Sequence, residues 1–147
     1  MRLLQCALVA VALISAACGD EMPTEPTEPA TSLTGTWRGN ITVTNVSAIM
    51  TWTLTQTGTS VTGPVVIALP TGVVLMNGTV AGTLSATNLG FTVTVPPGGI
   101  VSQPGCTGQI AGANTVISST TMSGAYSVVN STCTTGLTNG VFTLTRQ

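Results

Sequence analysis

The chain has 147 residues, enough for one modest domain, and only 5% of them are charged, against about 25% in typical globular proteins. All four acidic residues lie before residue 30, and beyond that point only Arg38 and Arg146 carry charge. Nucleic acids and anionic lipids bind to basic surfaces, and a domain with two arginines and no lysine lacks such a surface. We therefore exclude nucleic acid as a partner.

The first 17 residues have the pattern of an export signal. After the basic start of Met1 and Arg2, residues 3–17 are almost entirely apolar, and this run is too short for a membrane span of about 20 residues. Residues 13–19 read LISAACG, which resembles the signal and lipobox of bacterial lipoproteins. The resemblance implies that residues 1–17 are removed and that Cys18 becomes the lipidated first residue of the mature protein.

Ser15 departs from that family, which usually has Leu at this position. Ser15 and Ala17 also satisfy the small-x-small rule for ordinary secretory cleavage, which would release a soluble secreted or periplasmic protein. Residues 18–31 favour the anchor, because they repeat Thr-Glu-Pro and are too rich in proline and acid to bury a core. We predict a disordered tether that reaches roughly 40 Å at about 3.1 Å per residue. Gly19, rather than Asp, follows Cys18, which by resemblance indicates the outer membrane more than the inner one.

The remaining residues, 32–147, predict an all-β domain. The chain holds 29 Thr and 17 Gly, and Thr prefers the pleated surface of a sheet while Gly marks turns. Alternation is clearest where threonines separate Met50, Trp52 and Leu54, which places these three side chains on one face. Eight strands are predicted, at residues 36–44, 49–57, 60–67, 73–85, 89–95, 106–117, 121–129 and 140–146.

Short links between most of these strands favour an eight-stranded antiparallel up-and-down barrel, with an antiparallel β-sandwich as the alternative. Open sheets usually protect their edges with charged side chains, and this domain has almost none, whereas closure removes the edges. Pro64 favours an open sheet instead. A proline has no N–H to donate to the hydrogen bonds between strands, so it is confined to an edge strand or a bulge. The barrel is the preferred prediction.

Two cysteines remain in the domain once Cys6 leaves with the signal and Cys18 is assigned to the lipid. Cys106 and Cys133 are therefore predicted to form a disulfide, since an even pair in an exported domain most simply bonds. Two cysteines without histidines or acids cannot complete a zinc site. We expect no metal and no cofactor.

The two ends of the domain carry a further pattern. Residues 35–37, Gly-Thr-Trp, open the first strand, and Arg146 ends the last one. This arrangement resembles the lipocalin and avidin group of calycin barrels, in which the Gly-x-Trp tryptophan packs at the closed end and an arginine of the last strand lies across it. The resemblance implies that Trp37 and Arg146 form a barrel-closing pair.

The domain lacks the side chains that catalysis needs. It contains no His, Asp, Glu or Lys, and its one tyrosine, Tyr126, belongs to a residue type with an ordinary pKa of about 10, far from working pH. A serine or threonine nucleophile would have no base to activate it. The sequence therefore predicts that the protein is not an enzyme.

Two kinds of function stay open. Under the calycin resemblance, the open end of the barrel would bind a small apolar ligand, with Met50, Trp52, Met76, Phe91 and Tyr126 as candidate wall residues. The alternative is a structural or protein-interaction lipoprotein whose small barrel is filled by its own side chains and takes no ligand. Both interpretations place the protein in the bacterial cell envelope, attached to the membrane through its N-terminal lipid.

Mass spectrometry of the mature protein tests the lipid anchor. We expect an N-terminal peptide that starts at Cys18 and carries acyl chains, because the lipobox-like signal directs lipidation to this residue. The Cys18→Ala variant should leave the membrane fraction, whereas the Cys6→Ala control should remain in it. An unmodified Cys18 in the mature protein would contradict the anchor.

Overall fold

The computed structural model describes residues 32–43, 45–116 and 118–147. The predicted signal peptide (1–17), the tether (18–31) and the lipidated Cys18 lie outside the described residues. Within the described ranges, no helix has the length and apolar character that crossing a membrane requires.

Eight antiparallel strands form a closed barrel in which each strand pairs with the next along the chain and the last returns to the first. The predicted up-and-down barrel is confirmed, and the sandwich alternative is wrong. The second strand begins three residues earlier than predicted and the sixth begins two residues later. The strands are β1 (Gly35–Val43), β2 (Val46–Thr57), β3 (Ser60–Ala68), β4 (Val74–Ser85), β5 (Asn88–Val95), β6 (Gly108–Val116), β7 (Thr121–Ser131) and β8 (Gly140–Arg146).

The core follows the two-residue alternation of the strands. In β5, Leu89, Phe91, Val93 and Val95 are buried, and the residues between them are half-buried or exposed. In β2, Met50, Trp52 and Leu54, which the sequence places on one face, are buried in the same way. Each such side chain stabilises the fold by about 1.5–3 kcal/mol relative to leaving it in water, so the alternation selects this register over a one-residue slip.

The two ends of the barrel differ. At one end, which we call the closed end, short turns join β2 to β3, β4 to β5 and β6 to β7, and the start of β1 meets the end of β8. The β2–β3 turn uses Gly58, whose φ of 58° suits a tight hairpin. At the other, the open end, two longer connections cover the barrel, residues 96–107 and 132–139.

The closed end is filled by Trp37, which is fully buried. The guanidinium carbon of Arg146 lies 4.8 Å from the centre of the Trp37 ring, and β1 and β8 pair directly at these two residues. The Trp37 Nε1–H donates to the carbonyl oxygen of Leu33 at 2.8 Å, and Arg146 donates to the carbonyl oxygen of Ser32. The Leu33 amide in turn donates to Oε1 of Gln56 at 2.7 Å. The segment before β1 is therefore held beneath the barrel by both ends of the sheet.

Of the two expectations for the strand of Pro64, the free edge is wrong, because a closed barrel gives β3 no free edge. The ladder between β2 and β3 is interrupted at residues 53–54 and 63–64 and keeps the same register on both sides, so no bulge occurs at Pro64 itself. β3 does carry a register shift against β4, between Ile67 and Ala68. The interruption accommodates the missing N–H of the proline. Gly63 allows β2 and β3 to approach each other closely at this point, since a Cβ on Gly63 would overlap the carbonyl oxygen of Thr53.

Replacing Arg146 tests the closure of the barrel. We expect Arg146→Ala to lower the free energy of unfolding by about 1–2 kcal/mol, because it removes the stacking on Trp37 and the bond to the Ser32 carbonyl. Arg38→Ala is the matched control, since Arg38 is the neighbouring cation but is exposed, and its loss should stay within about 0.5 kcal/mol. Urea unfolding followed by tryptophan fluorescence measures both, and equal losses would contradict a closing role for Arg146.

Candidate ligand-binding site

A cavity of about 40 Å³ lies inside the open half of the barrel. The five wall residues predicted from the sequence, Met50, Trp52, Met76, Phe91 and Tyr126, all line it, together with other side chains of the surrounding strands. The barrel-closing pair lies at the opposite end. Sequence reasoning missed the remaining lining residues, which are Ile41, Val65, Ile67, Val93, Ile110, Gly136, Leu137, Thr138 and Phe142.

Four aromatic rings form one wall of the cavity around Phe142. Its ring centre lies 5.2 Å from that of Trp52, 6.0 Å from that of Phe91 and 6.1 Å from that of Tyr126. Trp52 and Phe91 also meet edge to face at 5.1 Å, a favourable arrangement for aromatic pairs. The Trp52 Nε1–H donates to the sulfur of Met50 at 3.0 Å, so this polar group is satisfied without water. The wall presents apolar surface to the cavity.

Residues 132–139, which we call the lid, cover the cavity from the open end. Gly136, Leu137 and Thr138 of the lid face the cavity. Leu137 packs so closely on Gly108 that a Cβ at Gly108 would overlap its Cδ1 atom. The apolar side chain of Leu137 therefore separates the cavity from the solvent above the barrel.

The lid is fastened to the β5–β6 connection by a disulfide and by hydrogen bonds. Cys106 and Cys133 are bonded, with 4.9 Å between their Cα atoms, which confirms the predicted disulfide. Gln103 adds four hydrogen bonds. Its Nε2 donates to the carbonyl oxygen of Thr135 at 2.9 Å and to the hydroxyl oxygen of Thr135 at 2.7 Å, and its Oε1 accepts from the amide and the hydroxyl of Thr134, both at 2.9 Å. The disulfide thus fixes the position of the lid as well as stabilising the fold.

Tyr126 is the titratable residue of the cavity lining. Its side chain is half-buried, and this burial raises the pKa of the Tyr126 phenol above the ordinary value of 10.0. The ring passes close to the start of β8, where a Cβ at Gly140 would lie 2.6 Å from the phenol oxygen. Gly140 is therefore required for Tyr126 to reach the mouth of the barrel.

The chemistry of the lining is that of an apolar binding site. None of the lining residues carries a formal charge at neutral pH, and Thr138 and Tyr126 are the polar ones among them. The described part of the chain holds no group of three or more His, Cys, Asp and Glu side chains that could bind a metal ion. The residues present fit a neutral apolar molecule better than any ion, since burying an unpaired charge among them would be costly.

Comparisons with known proteins support the fold. No protein-family model matches the chain, and no curated protein matches it. Among solved structures, the chain is similar to a redesigned beta barrel, with 17% sequence identity, a TM-score of 0.57, and coverage of 78% of this chain and 91% of that chain. At this identity the likeness shows the β-barrel architecture alone.

The raised pKa of Tyr126 predicts a loss of stability at alkaline pH. Once the pH exceeds about 10, the unfolded chain releases the phenol proton while the folded chain retains it, so the free energy of unfolding falls as the pH rises towards the folded pKa. Tyr126→Phe should remove this decline. Because the chain has one tyrosine, its phenolate absorbance reports Tyr126 alone. If the pKa of Tyr126 in the folded protein is equal to or below its pKa in the urea-unfolded protein, burial of its side chain is contradicted.

Proposed function

We propose that this protein is a non-enzymatic, lipid-anchored protein of the bacterial cell envelope whose barrel binds a small apolar ligand in its open half. The observation that carries the proposal is the contrast between the two halves of the interior. The closed half is packed solid around Trp37, whereas the open half contains a cavity beneath a fastened lid. An apolar cavity with few polar groups is the usual form of a small-molecule site.

The size of the cavity limits the ligand. A volume of about 40 Å³ holds about three water molecules at about 10–15 Å³ each. Sites for drug-sized molecules measure about 300–1,000 Å³, so such a molecule would have to displace the lid. Met50 and Met76 offer smaller adjustments, because the flexible thioether side chain readily changes rotamer. We infer a ligand no larger than a single ring system or a short apolar chain, which would enter the cavity only as these methionine side chains move aside.

The membrane attachment rests on the sequence of the first 31 residues. The Cys18 motif and the Pro-rich tether support a lipid anchor, with the outer membrane favoured by Gly19. The tether joins the domain at Ser32, whose carbonyl accepts a hydrogen bond from Arg146 at the closed end. An anchored barrel would therefore be attached by the end opposite its cavity.

A non-enzymatic role is supported by the composition of the domain. Residues 32–147 contain no His, Asp, Glu or Lys, so a general acid, a general base and an activated nucleophile all lack the necessary side chains. Binding needs none of these groups. The proposal accordingly assigns no chemical step to the cavity.

Exposed valines favour a second candidate function, protein interaction at the open end. All five large hydrophobic side chains that are exposed among the described residues belong to the open half or its loops. Apolar side chains around one rim are typical of a surface that meets a partner. This candidate needs no ligand. The residues are Val46, Val73, Val101, Val129 and Val141.

Methionine methyl NMR of the full chain, titrated with indole, tests ligand binding. The methyl signals of Met50 and Met76 should shift, because both side chains line the cavity, while that of Met122, fully buried and outside the lining, should not. Val93→Phe should abolish the shifts by filling the cavity. Val129→Phe, the same change at an exposed position, should leave them intact. Equal shifts at all three methionines, or none, would contradict the ligand site and favour the interaction candidate.

A further inference from the structure

The first and last strands meet along only part of their length. β1 and β8 pair at Trp37 with Arg146 and at Arg38 with Thr145, both near the closed end. Every other pair of neighbouring strands is joined at six or more positions. Above the closed end, β1 and β8 therefore form a seam without a continuous ladder.

Along the seam, each strand keeps its pairing with its other neighbour. β1 stays paired with β2 along its whole length, and β8 stays paired with β7 as far as Gly140. Beyond Gly140, the Oδ1 atom of Asn139 accepts a hydrogen bond from the Val128 amide at 2.8 Å and so continues the contact with β7. The strands remain close at Gly39, where a Cβ would overlap the carbonyl oxygen of Thr143. From there towards the open end the two strands form no further residue pairs.

A groove of about 670 Å³ lies along this unpaired stretch and reaches the open end. Residues 40–42 of β1 form one wall and residues 139–141 form the other. The adjoining part of β2 contributes Ser47, Ala48 and Ile49, and the β3–β4 connection contributes Pro70. The volume lies within the range of about 300–1,000 Å³ that small-molecule sites occupy. The groove contains amide and hydroxyl groups beside apolar side chains, and none of its lining residues is charged.

Two side chains connect the groove with the interior cavity. Ile41 and Tyr126 line both spaces, so they form the partition between them. Neither is covalently restrained, and side-chain rotamer changes are fast compared with the motion of whole elements. The opposite route, through the mouth, is obstructed by the lid, which the Cys106–Cys133 disulfide and Gln103 hold in place.

We propose that the β1–β8 seam is a lateral access route and outer subsite for a neutral, amphipathic small molecule. The inference rests on the proposed ligand-binding function and names the ligand class more closely. The apolar part of the molecule passes between Ile41 and Tyr126 into the cavity. Its polar, uncharged part stays in the groove, where Asn40, Thr42 and Asn139 offer hydrogen-bonding groups. Neither lining offers a charged side chain to pair with an ionic head group, so an uncharged polar group fits better.

Cross-linking the seam of the full chain tests this route, with indole as the probe because it combines an apolar ring with one N–H donor. The double variant Thr42→Cys and Val141→Cys places exposed thiols on the two sides of the groove. Bridging them with a short thiol-reactive linker should slow association of indole at least about tenfold, measured by exchange at the Met50 and Met76 methyls. The same variant with its thiols unbridged gives the reference rate from which the effect of the bridge is measured.

Two matched controls place the same bridge at residues that line neither the groove nor the cavity. Thr55→Cys with Thr62→Cys bridges β2 to β3, and Ser123→Cys with Thr143→Cys bridges β7 to β8, in both cases between residues that are already partners. Both bridged controls should bind indole at the wild-type rate. Ile41→Ala gives an independent measurement. Shortening one of the two side chains between the groove and the cavity should speed the association of indole about tenfold.

The outcomes separate the two proposals. If indole shifts the cavity methionines of the wild type but the bridged seam and Ile41→Ala leave its rate unchanged, the lateral route is wrong and the ligand site stands. If indole does not shift Met50 and Met76 in the wild type, the ligand site is wrong and the lateral route is refuted with it. Slowing by the seam bridge and by neither control supports the route.

Discussion

The stacking of Arg146 on Trp37 is the interaction on which the rest of this structure depends. An eight-stranded meander becomes a barrel only when its last strand returns to its first, and here that return is made at two residue pairs. The guanidinium covers the indole ring and also reaches back to the Ser32 carbonyl, so one side chain joins the end of the domain to its beginning. Closure is therefore concentrated at one end of the sheet.

This concentration explains why the two halves of the barrel differ. Strands that must converge on Trp37 pack tightly around it, and Leu33, Leu144 and Met122 fill the remaining space without exposure. Towards the other end nothing draws β1 and β8 together, and each follows its hairpin partner. The cavity and the groove both follow from a sheet in which β1 and β8 are paired at one end and unpaired at the other.

Much of this fold could be predicted from local patterns, because alternation and turn chemistry act over a few residues. Alternating threonines identified the inward face of β2, and the five predicted wall residues lie together in the structure. Pro64 alone pointed to an open sheet and was a poor guide, since whether a strand has a free edge depends on closure by strands far along the chain. The lid and the seam were also missed. The lid depends on where a long connection packs, and the seam depends on where pairing between two distant strands stops. Neither produces a periodic pattern in the sequence.

The barrel is also built without groups that titrate in the middle of the pH scale. Residues 32–147 contain no carboxylate side chain and no histidine, and Tyr126 holds its proton beyond its ordinary range. Folding then takes up and releases almost no protons between mildly acidic and mildly alkaline conditions, so stability has almost no slope with pH there. Residues 32–147 also offer the two arginines no carboxylate side chain, so salt has no ion pair of that kind to screen within the domain. The stability of such a domain should therefore change little when either the acidity or the salt concentration of its surroundings changes.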